Sequence, residues 1–101
     1  GNLSMITKRI EYLKNKYCLQ YFVETGCADG VSLAAAKSLG FNSLYSCDVS
    51  IGSVEQSKNK VPEANIYHLD SLEFLKTITT IINIHLCPTF CKWFHIIPYQ
   101  P

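Results

Sequence analysis

The residues of this chain best suited to chemistry are a few acids set around a glycine turn. Glu24 precedes the turn; Gly26 and Gly30 bracket it, with Ala28 at its middle. Asp48 follows about 20 residues later, the spacing at which an acid at a second strand tip meets ribose hydroxyls. A carboxylate accepts hydrogen bonds at both oxygens, which matches a vicinal pair of hydroxyls better than a neutral side chain does. Asp70, followed by Ser71, comes after a third apolar run. Asp and Ser are also helix caps, and both acids stand before helical patterns, so capping is the competing role for each. Asp70 with Glu73 has capping-box spacing.

These residues need a scaffold, and the stretch Gln20 to Ala35, QYFVETGCADGVSLAA, supplies its centre. Tyr21, Phe22 and Val23 are apolar and β-prone, and Glu24 and Thr25 fall where that strand ends. Val31 to Leu39, rich in Ala and Leu, reads as a helix that Gly40 stops. A strand feeding a helix through a glycine turn is the first half of a βαβ unit. In such sheets the ligand lies beyond the carboxyl ends of the strands, near the free N–H groups of a helix start.

The glycine order restricts that ligand. A dinucleotide fingerprint needs G-x-G-x-x-G, but Ala28 fills the middle position and Asp29 puts negative charge where a phosphate would lie. This argues against an NAD-linked enzyme. No Gly-Lys-Ser/Thr follows, which excludes a P-loop. Glu24 and Asp29 repel pyrophosphate and suit a cation. S-adenosylmethionine, with a sulfonium, an ammonium and one carboxylate, is a ligand of that kind.

VETGCADG resembles the glycine-rich loop of class I S-adenosylmethionine-dependent methyltransferases, acidic-x-Gly-x-Gly-x-Gly, with Ala28 in place of the middle Gly. The resemblance extends through SLYSCDVS and NIYHLDSLEFL, roughly Tyr21 to Leu75. It implies a Rossmann-like α/β fold: an open, mainly parallel sheet of three to four strands with flanking helices. That sheet is incomplete beside the family's seven strands. It implies S-adenosyl-L-methionine as donor and in-line methyl transfer to an oxygen, nitrogen or carbon acceptor. Gly26, Ala28 and Gly30 would shape the loop beside the methionyl part, and Glu24 would orient that loop or meet the ammonium through water. Asp48 would hold the ribose, and Asp70 with Ser71 the adenine. One Asp70 side chain could cap a helix and meet adenine through different oxygens. The resemblance identifies neither a catalytic base nor the acceptor. The alternative is a non-catalytic fragment that folds or dimerises and binds the donor weakly or not at all.

The 101 residues suffice for one domain with a modest core. Hydrophobic residues make up 48% and charged ones 17%, a globular rather than disordered composition. A net charge of +1 gives no electrostatic case for nucleic acid. The apolar runs are too short for a membrane span and the charged start is not a signal peptide, so the expectation is a cytoplasmic protein that touches no membrane. Five cysteines are an odd number; Cys18, Cys27 and Cys47 sit in or beside apolar segments and read as buried thiols.

In chain order, residues 1–18 read as an N-terminal helix, capped by Ser4 or Asn2, with Ile6, Ile10, Leu13 and Tyr17 as its apolar stripe. Residues 19–79 form the βαβαβα core. Its second strand is Ser43 to Cys47, and a helix starting at Ser50 or Ser53 runs to about Lys60. Ala64 to His68 is the third strand, with His68 a strand residue rather than a base. Residues 80–101 are an atypical apolar tail, either native or a truncated or frame-shifted end, without Asp or Glu. Lys92 to Ile97 is its strand candidate. In the family's order 3-2-1-4 the first strand is central, so the tail should fold back beside it, or two chains should pair as a homodimer. His85, Cys87, Cys91 and His95 have zinc-like chemistry, but their spacing favours packing over metal.

Overall fold

The computed structural model describes residues 3–17, 21–82 and 90–92. Helix α1 (Leu3–Tyr17) leads into β1 (Tyr21–Thr25), α2 (Val31–Ser38), β2 (Ser43–Asp48), α3 (Ile51–Lys60), β3 (Asn65–His68), α4 (Ser71–Ile82) and β4 (Phe90–Lys92). The strands form one parallel sheet in the order β3-β2-β1-β4. Parallel neighbours cannot be joined by tight hairpins, so helices make the crossovers and cover both faces.

The faces follow the strand period of 2. Phe22, Leu44 and Ile66 point to one side, where they pack with Ile10, Leu33, Ala36, Phe41, Val54 and Val61. Phe22 meets Phe41 edge-on at 5.5 Å between ring centroids. Val23 and Cys47 point to the other side, against Phe74 and Ile78 of α4, with Tyr45 and Tyr67 at the margin. Burying each of the Phe, Leu, Ile and Val side chains among these stabilises the fold by roughly 1.5–3 kcal/mol. Because every strand runs the same way, their carboxyl ends share one edge. In register, Glu24 stands beside Ser46, Thr25 beside Cys47 and Asp48 beside His68.

Several expectations shift. Ser4 lies inside α1, which already includes Leu3, so it is not the cap; Asn2 is outside the described residues. Ile10 is buried and Ile6 and Leu13 pack beside it, as the stripe requires. Ser50 is the cap of α3: its hydroxyl accepts from Ser53 N at 3.3 Å. The third strand begins at Asn65 rather than Ala64.

The tail does return as a strand. Phe90–Lys92 pairs parallel with Tyr21–Val23, so the fourth strand starts before the expected Lys92–Ile97, of which residues 93–97 lie outside the described part. With β4 along β1, the open edge that argued for a homodimer is occupied over that length. His85, Cys87, His95 and Cys18 lie outside the described residues, and of Cys91 only the backbone, on β4, is described. Among the described residues no cluster of His, Cys, Asp and Glu could hold a metal. No described helix is long and apolar enough to cross a membrane.

Candidate functional site

The turn from β1 to α2 is fastened to the tip of β2. Gly26 N and Cys27 N both donate to Cys47 O at 2.9 Å, and Gly30 N closes the turn on Cys27 O at 2.8 Å. Three consecutive alternate positions take positive φ: Gly26 at 77°, Ala28 at 49° and Gly30 at 84°. Glycine is free there, whereas Ala28 holds a left-handed conformation that its Cβ opposes. Two contacts keep Ala28 in place. Its N–H donates to Asp48 Oδ2 at 3.1 Å, and its carbonyl accepts from Ser57 Oγ at 3.1 Å.

Gly30 and Gly26 differ in what lies beside them. A Cβ on Gly30 would come within 3.1 Å of the Ser57 backbone, so close packing of α3 requires glycine there. Among the described residues, a Cβ on Gly26 would meet nothing within 4 Å. The turn is therefore packed on its α3 side and open beside Gly26. Asp29 Oδ1 accepts from Val31 N at 3.2 Å and steadies the start of α2.

Glu24 lies within β1, on the Phe22 side of the sheet, and is 0% exposed. Its Oε1 accepts from Ser46 Oγ at 3.3 Å. Its Oε2 is buried without a hydrogen-bond partner among the described residues. Burial pushes this carboxyl up to about 8; the Ser46 and Ser32 hydroxyls pull it back, and the Asp29 and Asp48 carboxylates add to the rise. Desolvation disfavours the charged form, so Glu24 is held as a neutral acid below that value. Burial likewise raises Cys27 and takes Cys47 up to about 11, which keeps both thiols protonated and unreactive.

Asp48 ends β2 with both oxygens engaged: Oδ2 on Ala28 N, and Oδ1 on Ser50 N at 2.9 Å. The side chain thus reaches the glycine turn. A carboxylate has about four lone-pair sites, so these bonds leave acceptor capacity. Asp70 caps α4 through Oδ1 and Glu73 N at 2.9 Å, and exposed Ser71 is the first residue of that helix. His68 Nε2 lies 3.0 Å from Val49 O and ties the tips of β2 and β3, a structural role. The structure therefore brings Glu24, Gly26, Ala28, Gly30 and Asp48 into one bonded or electrostatically linked group. Asp70 and Ser71 stand at the next strand tip.

The acids and glycines alone do not reveal the apolar part of this edge. Val49 is 70% exposed, Ile51 53% and Leu72 64%, although all are large and hydrophobic. Each sits within two or three residues of a tip acid, Asp48 or Asp70. That adjacency is the sequence signal that would have found them. A groove of about 320 Å³ is lined instead by Thr7, Val31, Ala34, Ala35, Ser38 and Lys60 of α1, α2 and α3, and none of the tip acids lines it.

A parallel sheet in this order, with a glycine turn at its centre and acids at successive strand tips, defines part of a Rossmann-like methyltransferase fold. Comparison with solved structures agrees. The chain superposes on the plantazolicin methyltransferase BpumL, solved in complex with a monoazolic desmethylPZN analogue and SAH, with a TM-score of 0.55 and 25% sequence identity. The match covers 71% of this chain and 29% of that one, so this chain spans under a third of the solved enzyme. No protein-family profile and no curated protein sequence matches the chain.

Proposed function

We propose that this chain binds S-adenosyl-L-methionine at the strand tips and is the donor-binding part of a methyl-transfer enzyme. The observation that carries the reading is the turn itself: fixed to β2 through Asp48 and Cys47, packed against Ser57, and open beside Gly26. A ligand can approach that backbone closely. The neighbouring charges, Asp29 and Asp48, suit a cation and oppose a phosphate.

The residues present fit such a donor. Gly26, Ala28 and Gly30 shape the bend beside its methionyl part. Glu24, buried at the β1 end of the bend, would orient the loop or meet the ammonium through water. Asp48 has lone pairs left for ribose hydroxyls. Asp70 and Ser71 offer polar atoms to the adenine edge, while Val49 and Leu72 offer apolar surface to its faces. The donor would supply an already activated methyl group, so the protein's work is alignment and exclusion of water.

A second reading, donor binding without catalysis, has its own support. The family's fourth strand ends in an acid near the transferred methyl, but no Asp or Glu follows Glu73. Calorimetry with S-adenosylmethionine and S-adenosylhomocysteine, then a methyl-transfer assay on candidate acceptors, separates these readings. Binding with turnover supports the enzyme, binding alone supports the second reading, and no binding removes both.

A further inference from the structure

Glu24 is a carboxyl removed from water, with one oxygen on Ser46 and the other without a hydrogen-bond partner among the described residues. Its position is not peripheral. It lies on β1, between β2 and β4 in the sheet, one residue before the strand ends at Thr25 and two before Gly26. The charges acting on it from the turn and from β2, Asp29 and Asp48, are both negative. The protonated thiols Cys27 and Cys47 border the same turn, and α2 presents the Ser32 hydroxyl. Together these groups store an unmet demand for positive charge next to an open approach.

We propose that a cation seated over the Gly26–Gly30 turn binds in exchange for the proton of Glu24, so that ligand uptake and proton release are one event. The proposal rests on the donor reading above, because the cation is the ligand's ammonium or sulfonium. Without ligand, Glu24 keeps its proton and the edge carries less negative charge. With a cation near, the ionised carboxylate becomes the favoured form and the proton passes to the buffer. At about 6 Å in a protein-like dielectric, one positive charge moves a carboxyl's protonation equilibrium roughly a hundredfold. Glu24 is then a positioning residue: ionised, it draws the cation toward the turn; protonated, it does not.

The test is calorimetry of S-adenosylhomocysteine and S-adenosylmethionine binding between pH 5.5 and 8.5, in paired buffers of different ionisation enthalpy. Expected for the unaltered protein is release of close to one proton near pH 7. Its affinity should rise roughly tenfold per pH unit from about pH 6 to 7.5. Above that range the ligand's own amine, near 8, bends the curve down in every variant. In Glu24→Gln, which keeps the shape and cannot ionise, both the release and the rising limb should vanish. A His68→Gln control, removing the histidine at these strand tips, should leave them. Binding without proton release, or equal release by Glu24→Gln, overturns the coupling while leaving the donor reading intact. No binding of either nucleoside at any pH overturns both.

Discussion

Asp48 Oδ2 accepts a hydrogen bond from Ala28 N at 3.1 Å, joining the tip of β2 to the middle of the glycine turn. The residue expected to hold a ribose therefore also holds the loop, and substitution can separate the two tasks. Asp48→Ala leaves Ala28 N and Ser50 N to water and should cost about 1–2 kcal/mol of stability. Asp48→Asn keeps one good acceptor and should cost less. If Asp48 also meets hydroxyls, both variants lose at least about tenfold in donor affinity, since an amide cannot accept as two carboxylate oxygens do. Thermal unfolding and calorimetry read the two effects. Weakened stability with unchanged affinity would assign Asp48 to the loop alone.

Ala28 and Gly30 share a left-handed backbone but respond oppositely to substitution. An L-residue held there is strained by roughly 1–2 kcal/mol. Ala28→Gly releases that strain, while the freer unfolded chain takes back about 0.4–1 kcal/mol, so the net gain lies between about zero and 1.6 kcal/mol. Gly30→Ala acquires the strain and also presses on the Ser57 backbone. It should destabilise by about 2 kcal/mol or more. Chemical denaturation of both variants checks the contrast; equal effects would mean the turn is not held as described.

How much of this was legible in the sequence depends on the kind of signal. The turn was, because Gly26 and Gly30 are demanded by local backbone geometry. The positions of Asp48 and Asp70 were as well, because strand length and crossover length fix where the tips fall. Their capping and ligand roles could not be told apart, since both use the same oxygens. Glu24 was the least transparent. Residue type placed it at a strand end, but the alternation along Tyr21–Thr25 puts it on the face of Phe22, under α2. Burial there is a tertiary fact. The tail's composition spoke for a strand, yet pairing with Tyr21–Val23, not β-propensity, set its start at Phe90.

Stability should fall as pH rises through the neutral range, on account of Glu24. Its carboxyl goes from an ordinary 4.5 to about 8 on folding. Between those values the folded state binds more protons than the unfolded one, so the stability contribution is complete below 4.5 and lost as pH climbs through about 8. The full swing is on the order of a few kcal/mol. Glu24→Gln should match the unaltered protein near pH 5 and exceed it in melting temperature at pH 8.5. Parallel melting curves for the two proteins across that range would show that Glu24 is not a buried acid.

Asp70 offers the sharpest separation of cap from ligand contact. Its Oδ1 accepts from Glu73 N, a bond that a serine hydroxyl makes nearly as well. Asp70→Ser should therefore hold stability within about 0.5 kcal/mol, whereas Asp70→Ala should lower it by about 1 kcal/mol. If the carboxylate also receives the adenine amino group, the serine variant loses several-fold in affinity for S-adenosylhomocysteine despite its intact helix start. An inosine analogue lacks that amino group, so its affinity should be the same for both proteins. A serine variant that binds the adenosine ligand as the unaltered protein does would leave Asp70 a cap and nothing more.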